Sequence, residues 1–167
     1  MKMKVVIVGG GWAGSGAAMA AKNAGADEVV VLERTDLLLG TGLVGGIMRN
    51  NGRFTATEEA IAMGANEIFE TIDANCRHKN INFPGHEHAS LYDIALIEPA
   101  IHNMLLNKGI EVKMQARMKD VKMDGQKITA VVLTDGQEIT GDVFLDCTGT
   151  AGPMGNCGKY GNGCACC

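Results

Sequence analysis

The chain has 167 residues, enough for one domain with a sizeable buried core. A net charge of −4, with 15 basic residues scattered rather than clustered, gives no electrostatic footprint for nucleic acid. No stretch approaches the roughly 18 apolar residues of a membrane span, and the first apolar run has no signal-peptide layout. A cytoplasmic protein with neither a nucleic-acid nor a membrane partner is therefore expected.

The β-branched run Val5-Val6-Ile7-Val8 reads as a buried parallel strand that enters Gly9-Gly10-Gly11-Trp12-Ala13-Gly14. In this Gly-x-Gly-x-x-Gly pattern the first glycine permits a tight turn out of the strand. The second removes the side chain that would block a pyrophosphate, and the third lets the next helix pack closely. Ser15 to Ala24 are nearly all small residues, and Gly25 stands where a C-terminal cap belongs, so a helix is expected there. A second buried strand, Val29 to Leu32, ends at Glu33, 22 residues beyond Gly11. That is close to the roughly 20-residue spacing of an acid that binds ribose hydroxyls. With 23 glycines in the chain a glycine cluster alone is weak evidence; strand, turn, helix, strand and acid in order make a site for the ADP half of a dinucleotide. A carboxylate at position 33 also repels a 2′-phosphate, which argues against NADP.

Leu37 to Gly46 holds four glycines without a clear period and reads as a loop wrapped on a ligand. Helical spacing predicts a long amphipathic helix from Thr55 to about Cys76, then a loop over Lys79 to Ser90. A second helix is expected over Tyr92 to Asn107, with Pro99 in its first turn or at a kink. Ile110 to Met114 reads as a strand. Met118 to Met123, Ile128 to Thr134 and Glu138 to Thr140, joined by two Asp-Gly turns, read as a β-meander. The last strand, Asp142 to Asp146, runs into Cys147-Thr148-Gly149, placing a second glycine turn at the carboxyl edge of the sheet.

Six cysteines in such a chain point to reduced thiols, redox chemistry or metal rather than a disulfide framework. Cys157, Cys164, Cys166 and Cys167 crowd the end of the chain. Three readings stay open for them: a flexible glycine-rich tail, a zinc or iron–sulfur site, or a Cys164-x-x-Cys167 dithiol. His86 and His88 flank Glu87 in the expected loop, as a solvated pair or as groups near substrate. Arg49 and Arg53 stand either in a solvated turn or near an anionic substrate. His78 is expected at a charged helix end, and His102 on the second helix as a surface or boundary residue.

The Gly-x-Gly-x-x-Gly unit, Glu33-Arg34, the glycine-rich loop from Gly40, the meander and Asp146-x-Thr148-Gly149 together resemble the FAD-dependent oxidoreductases of the glutathione-reductase-like superfamily. The resemblance spans most of residues 3 to 152. It implies an α/β, Rossmann-like FAD-binding fold, a parallel sheet with flanking helices and a meander crossover. It further implies that Gly9, Gly10, Gly11, Trp12, Ala13 and Gly14 line the pyrophosphate and that Glu33 holds the adenosine ribose, with Arg34 beside it. Gly40, Thr41 and Gly42 would run along the pyrophosphate and flavin side. Met118 would meet adenine through its backbone, and Thr148 and Gly149 would close over the pyrophosphate and ribityl chain.

The expected organisation is a FAD-binding domain over 1–152, with a helical and loop insertion at about 47–108, followed by a Gly/Cys-rich tail over 153–167. Family members usually run well over twice this length, so the chain is expected to be the FAD-binding portion, ending at the cysteine cluster, and to bind FAD weakly or incompletely alone. The expected function is hydride or electron transfer through FAD, with a small-molecule substrate or an electron carrier as partner and no residue assigned as catalytic. Two rivals remain: an NAD-binding domain, and a non-catalytic half-domain whose flavin site is completed by a partner subunit, a second copy or further sequence.

Overall fold

The computed structural model describes residues 2–43, 49–50, 61–84 and 86–149. Its centre is a four-stranded parallel sheet in the order β10, β1, β2, β6, built from β1 (Lys4–Val8), β2 (Glu28–Leu32), β6 (Glu111–Lys113) and β10 (Val143–Asp146). In β1, Val5 pairs with both Val29 and Val143, so this strand lies inside the sheet with a ladder on each side.

The uninterrupted apolar run of β1 follows from burial on both faces. Val5, Ile7, Val29 and Val31 belong to a core with Ala18, Met19, Ile97, Ile101 and Leu105. Val6, Val8, Val30 and Leu32 belong to a second core with Ala116, Val131, Leu133 and Ile139. Successive side chains of a strand alternate between faces, so helices cover one face and a β-meander the other. Two of those helices are α1 (Trp12–Asn23) and α3 (Ile97–Asn107). The meander is β7 (Met118–Asp124), β8 (Lys127–Leu133) and β9 (Glu138–Thr140), with Gly125 and Gly136 at positive φ in its two turns. In α3, Ile97, Ile101 and Leu105 recur every fourth residue and are fully buried, and Pro99 sits in the first turn, where its missing N–H leaves no hydrogen bond unmade.

The segment between β2 and α3 differs from expectation. The helix expected from Thr55 to Cys76 is, over the described residues, a π-type turn at Ile61–Ala65 followed by α2 (Asn66–Ala74). Gly64, at φ +99°, kinks the chain inside that turn, just before α2 begins. Cys76 opens a strand, and the expected loop over Lys79 to Ser90 is a hairpin of β4 (Cys76–Phe83) and β5 (His86–Tyr92), joined at one edge by β3 (Arg49–Asn50). His78 therefore lies in β4, not at a helix end. Three register shifts interrupt the β4–β5 ladder, and Asn80 takes a positive φ. Those irregularities, in residues of low strand propensity, erase the period of two that marks a strand.

Candidate dinucleotide-binding site

Strands β1, β2 and β10 are parallel, so the segments that follow them emerge at one edge of the sheet. Gly9 N–H donates to the Leu32 carbonyl at 2.8 Å, and Cys147 N–H to the Val8 carbonyl at 2.8 Å, extending the ladders into the turns. Gly9 has φ +104°, and a Cβ there would lie 2.4 Å from the Cys147 carbonyl oxygen. A Cβ on Gly14 would lie 1.8 Å from the Gly9 carbonyl oxygen. Both glycines are thus closed in by backbone.

Gly11 is different. A Cβ there would meet nothing within 4 Å, so its outer face is open. Gly11 is also the N-cap of α1, with no side-chain cap and no acidic residue in the first turn. The N-terminal amides that a helix cannot satisfy internally, together with the positive end of its dipole, lie at that end of α1, an arrangement able to receive an anion.

Glu33 is 6% exposed. Its Oε2 accepts the Gly10 N–H at 2.8 Å, and its Oε1 accepts the Thr35 N–H at 2.8 Å and the Thr35 hydroxyl at 3.0 Å. The carboxylate therefore ties the end of β2 to the glycine turn. Arg34 beside it is exposed. Ala116 N–H donates to the Glu33 carbonyl and Gln115 N–H to that of Thr35, bringing the start of the meander alongside. Met118 opens β7 two residues later, half-buried against the meander-side core.

Leu39 N–H donates to the Gly10 carbonyl at 2.9 Å, and a parallel bridge links Leu39 with Gly11. This contact lays the 3-10 turn Gly40–Gly42 beside the start of α1. Leu38 N–H points to Glu98 Oε1 at 3.4 Å, and the same oxygen is 3.3 Å from His102 Nδ1. On the third side, Thr148 donates through both N–H and hydroxyl to Asp146 Oδ1, and Gly149 turns with φ +67°. Burial, reinforced by the negative charge of Asp146, pushes the Cys147 thiol above its ordinary pKa and keeps it protonated.

The described residues thus bring together Gly9 to Gly14, Glu33, the Gly40–Gly42 turn and Thr148–Gly149, with Arg34 and Met118 on adjoining segments. Val44, Gly45, Gly46, Arg53 and the cysteines Cys157, Cys164, Cys166 and Cys167 lie outside the described residues. Arg49 is in β3 and His86 and His88 in β5; their side chains also lie outside. Among the described residues no three His, Cys, Asp or Glu side chains gather as a metal site. Sequence reasoning missed Tyr92, which contacts Gly42 from β5, and Glu98, which reaches the Leu38 N–H from α3; neither belongs to a motif, and only the fold brings them there.

Residues 4–157 match the sequence model of the family described as FAD dependent oxidoreductase. The chain belongs to that family. Its cofactor is accordingly FAD. A search of curated proteins returned no match. Among solved structures, the glycine oxidase of Bacillus cereus superposes with TM-score 0.64 at 14% identity, over 90% of this chain and 56% of the oxidase. The THI4 protein of Thermovibrio ammonificans superposes with TM-score 0.62 at 20% identity, over 89% of this chain and 58% of that one. The Diels-Alderase PyrE3 of pyrroindomycin biosynthesis gives TM-score 0.62 at 23% identity, over 89% of this chain and 32% of PyrE3. At these identities the likeness concerns the fold alone. The family member therefore spans about a third to three fifths of the length of these structures.

Proposed function

We propose that residues 1–152 form the FAD-binding domain of a flavin-dependent oxidoreductase, with the segment at about 47–108 inserted on the substrate side. The observation that carries this reading is the open face at Gly11, set over the uncapped start of α1 while Gly9 and Gly14 are closed in by backbone. The pyrophosphate fits there, accepting hydrogen bonds from the first-turn amides of Trp12 and Ala13. Glu33, already buried against Gly10, is placed to accept an adenosine ribose hydroxyl through Oε2, which accepts a single hydrogen bond, whereas Oε1 is already filled by Thr35. Arg34 flanks the adenosine, and the backbone near Met118 meets the adenine edge. The Gly40–Gly42 turn runs along the flavin side of the pyrophosphate, and Thr148 and Gly149 close the opposite side.

FAD, when bound, supplies hydride or electron transfer. The chain's residues bind and orient it and exclude water from its phosphates. A small-molecule substrate or an electron carrier is the reaction partner, and the cytoplasm the site of action; among the described residues no helix is long and apolar enough to cross a membrane. Cys157, Cys164, Cys166 and Cys167 belong to a Gly/Cys-rich tail, with a metal or cluster site and a Cys164–Cys167 dithiol as the alternatives.

The visible spectrum of freshly purified protein, before and after incubation with FAD and gel filtration, tests this reading. Flavin absorption that co-elutes with the protein, and is released as FAD on denaturation, is expected. A colourless protein that takes up no FAD, yet gains thermal stability from NADH, would overturn it in favour of the NAD reading.

A further inference from the structure

Tyr92, the last residue of β5, is 4% exposed and stands beside the proposed cofactor segment without belonging to it. Its hydroxyl donates to the Gly42 carbonyl. The two rings meet edge to face with centroids 5.8 Å apart. Gly42 is packed between them: a Cβ there would lie 2.1 Å from Trp12 Nε1 and 3.0 Å from the Tyr92 hydroxyl. A ring contact and a hydrogen bond thus link the first residue of α1, through Tyr92, to the far end of the Gly40–Gly42 turn.

The near end of the turn is held by Leu39, whose N–H reaches the Gly10 carbonyl. Leu39 has φ 74°, a conformation that is unfavourable for a leucine and persists only where surroundings impose it. Strain at one end calls for a clamp at the other. The rear of that clamp is rigid: Asp93 N–H donates to the Asn75 carbonyl, and Arg77 pairs with the Asp93 carboxylate, closing the open end of the β4–β5 hairpin. Burial raises the pKa of Tyr92 above that of a free phenol, so the donating proton stays in place at any working pH.

We propose that Tyr92 is a positioning residue that latches the Gly40–Gly42 turn against the start of α1, and so sets affinity for the flavin side of FAD without contributing to the hold on its ADP half. This rests on the reading of the site given above. In that reading ADP is held by Gly9 to Gly14 and Glu33, whereas only the complete cofactor extends past the turn.

The test is calorimetric titration of wild type and Tyr92→Phe with ADP and with FAD. The variant keeps the ring and its packing on Trp12 and removes the hydroxyl. Loss of one hydrogen bond from a clamp predicts FAD binding weakened about tenfold, with ADP binding changed by less than about twofold. FAD affinity unchanged by Tyr92→Phe would overturn the latch. So would equal losses for ADP and FAD accompanied by a lower melting temperature, which mark Tyr92 as general packing. If the wild-type protein binds ADP but gains nothing from the rest of FAD, the latch fails while the ADP site stands. If it binds neither, the reading of the site fails and the latch with it.

Discussion

Gly11 and Gly14 lie one helical turn apart, and a methyl group added to each meets opposite surroundings. At Gly14 it strikes the Gly9 carbonyl oxygen, which is backbone and cannot swing aside. Gly14→Ala is expected to cost about 1–3 kcal/mol in unfolding free energy, the usual penalty for overpacking, read as a lower urea midpoint at constant slope. At Gly11 the methyl meets nothing, and its φ of −67° suits any residue. Gly11→Ala should therefore leave stability within about 0.5 kcal/mol of wild type while weakening ADP and FAD, because the methyl fills space the pyrophosphate needs. The two measurements separate a glycine kept for packing from one kept for the ligand. At this scale the glycine motif and Glu33 are legible in the sequence, since strand, turn and acid stand at fixed spacing. Tyr92 is not, because its contacts with Gly42 and Trp12 are set by pairing across more than 40 residues of chain.

At the scale of elements, the join between the β4–β5 hairpin and α3 turns on Asp93. Its carboxylate accepts from Arg77 and from the Ala95 N–H at 2.8 Å, and its carbonyl receives the Leu96 and Ile97 amides. The hydrogen bond from Arg77, above all, holds its pKa below the ordinary carboxylate value, with the Ala95 amide acting in the same direction. A group with a depressed folded pKa stabilises the fold above its unfolded pKa of about 3.9, and that contribution is lost as pH falls through the lower folded value. Asp93→Asn should accordingly lower the urea midpoint at pH 7, and the gap from wild type should close as pH drops below about 4. A gap independent of pH would assign the effect to packing. The alternation of buried faces along β1 and β2, the Asp-Gly turns of the meander and the four-residue repeat of α3 are all legible locally. The hairpin is not: its register shifts break the period of two, and the cross-strand pairs that form it are non-local.

Across the whole molecule, helices on one face of the sheet and a meander on the other bury Val5 to Val8 of β1, and the parallel direction of β1, β2 and β10 delivers the glycine turn, Glu33 and Thr148 to one edge. The fold class is legible from the order of strands, turns and meander. The way Leu39, Tyr92 and Glu98 gather around that edge is not, since it depends on which face each helix and hairpin packs against. The central claim is that this edge binds the ADP half of FAD. Trp12 is the chain's single tryptophan and stands in the first turn of α1, so its emission reports on that place alone. Titration with FAD should quench it along a saturating curve with one equivalent per chain, and excess ADP should restore it. Quenching that stays linear in FAD and is indifferent to ADP would contradict the account.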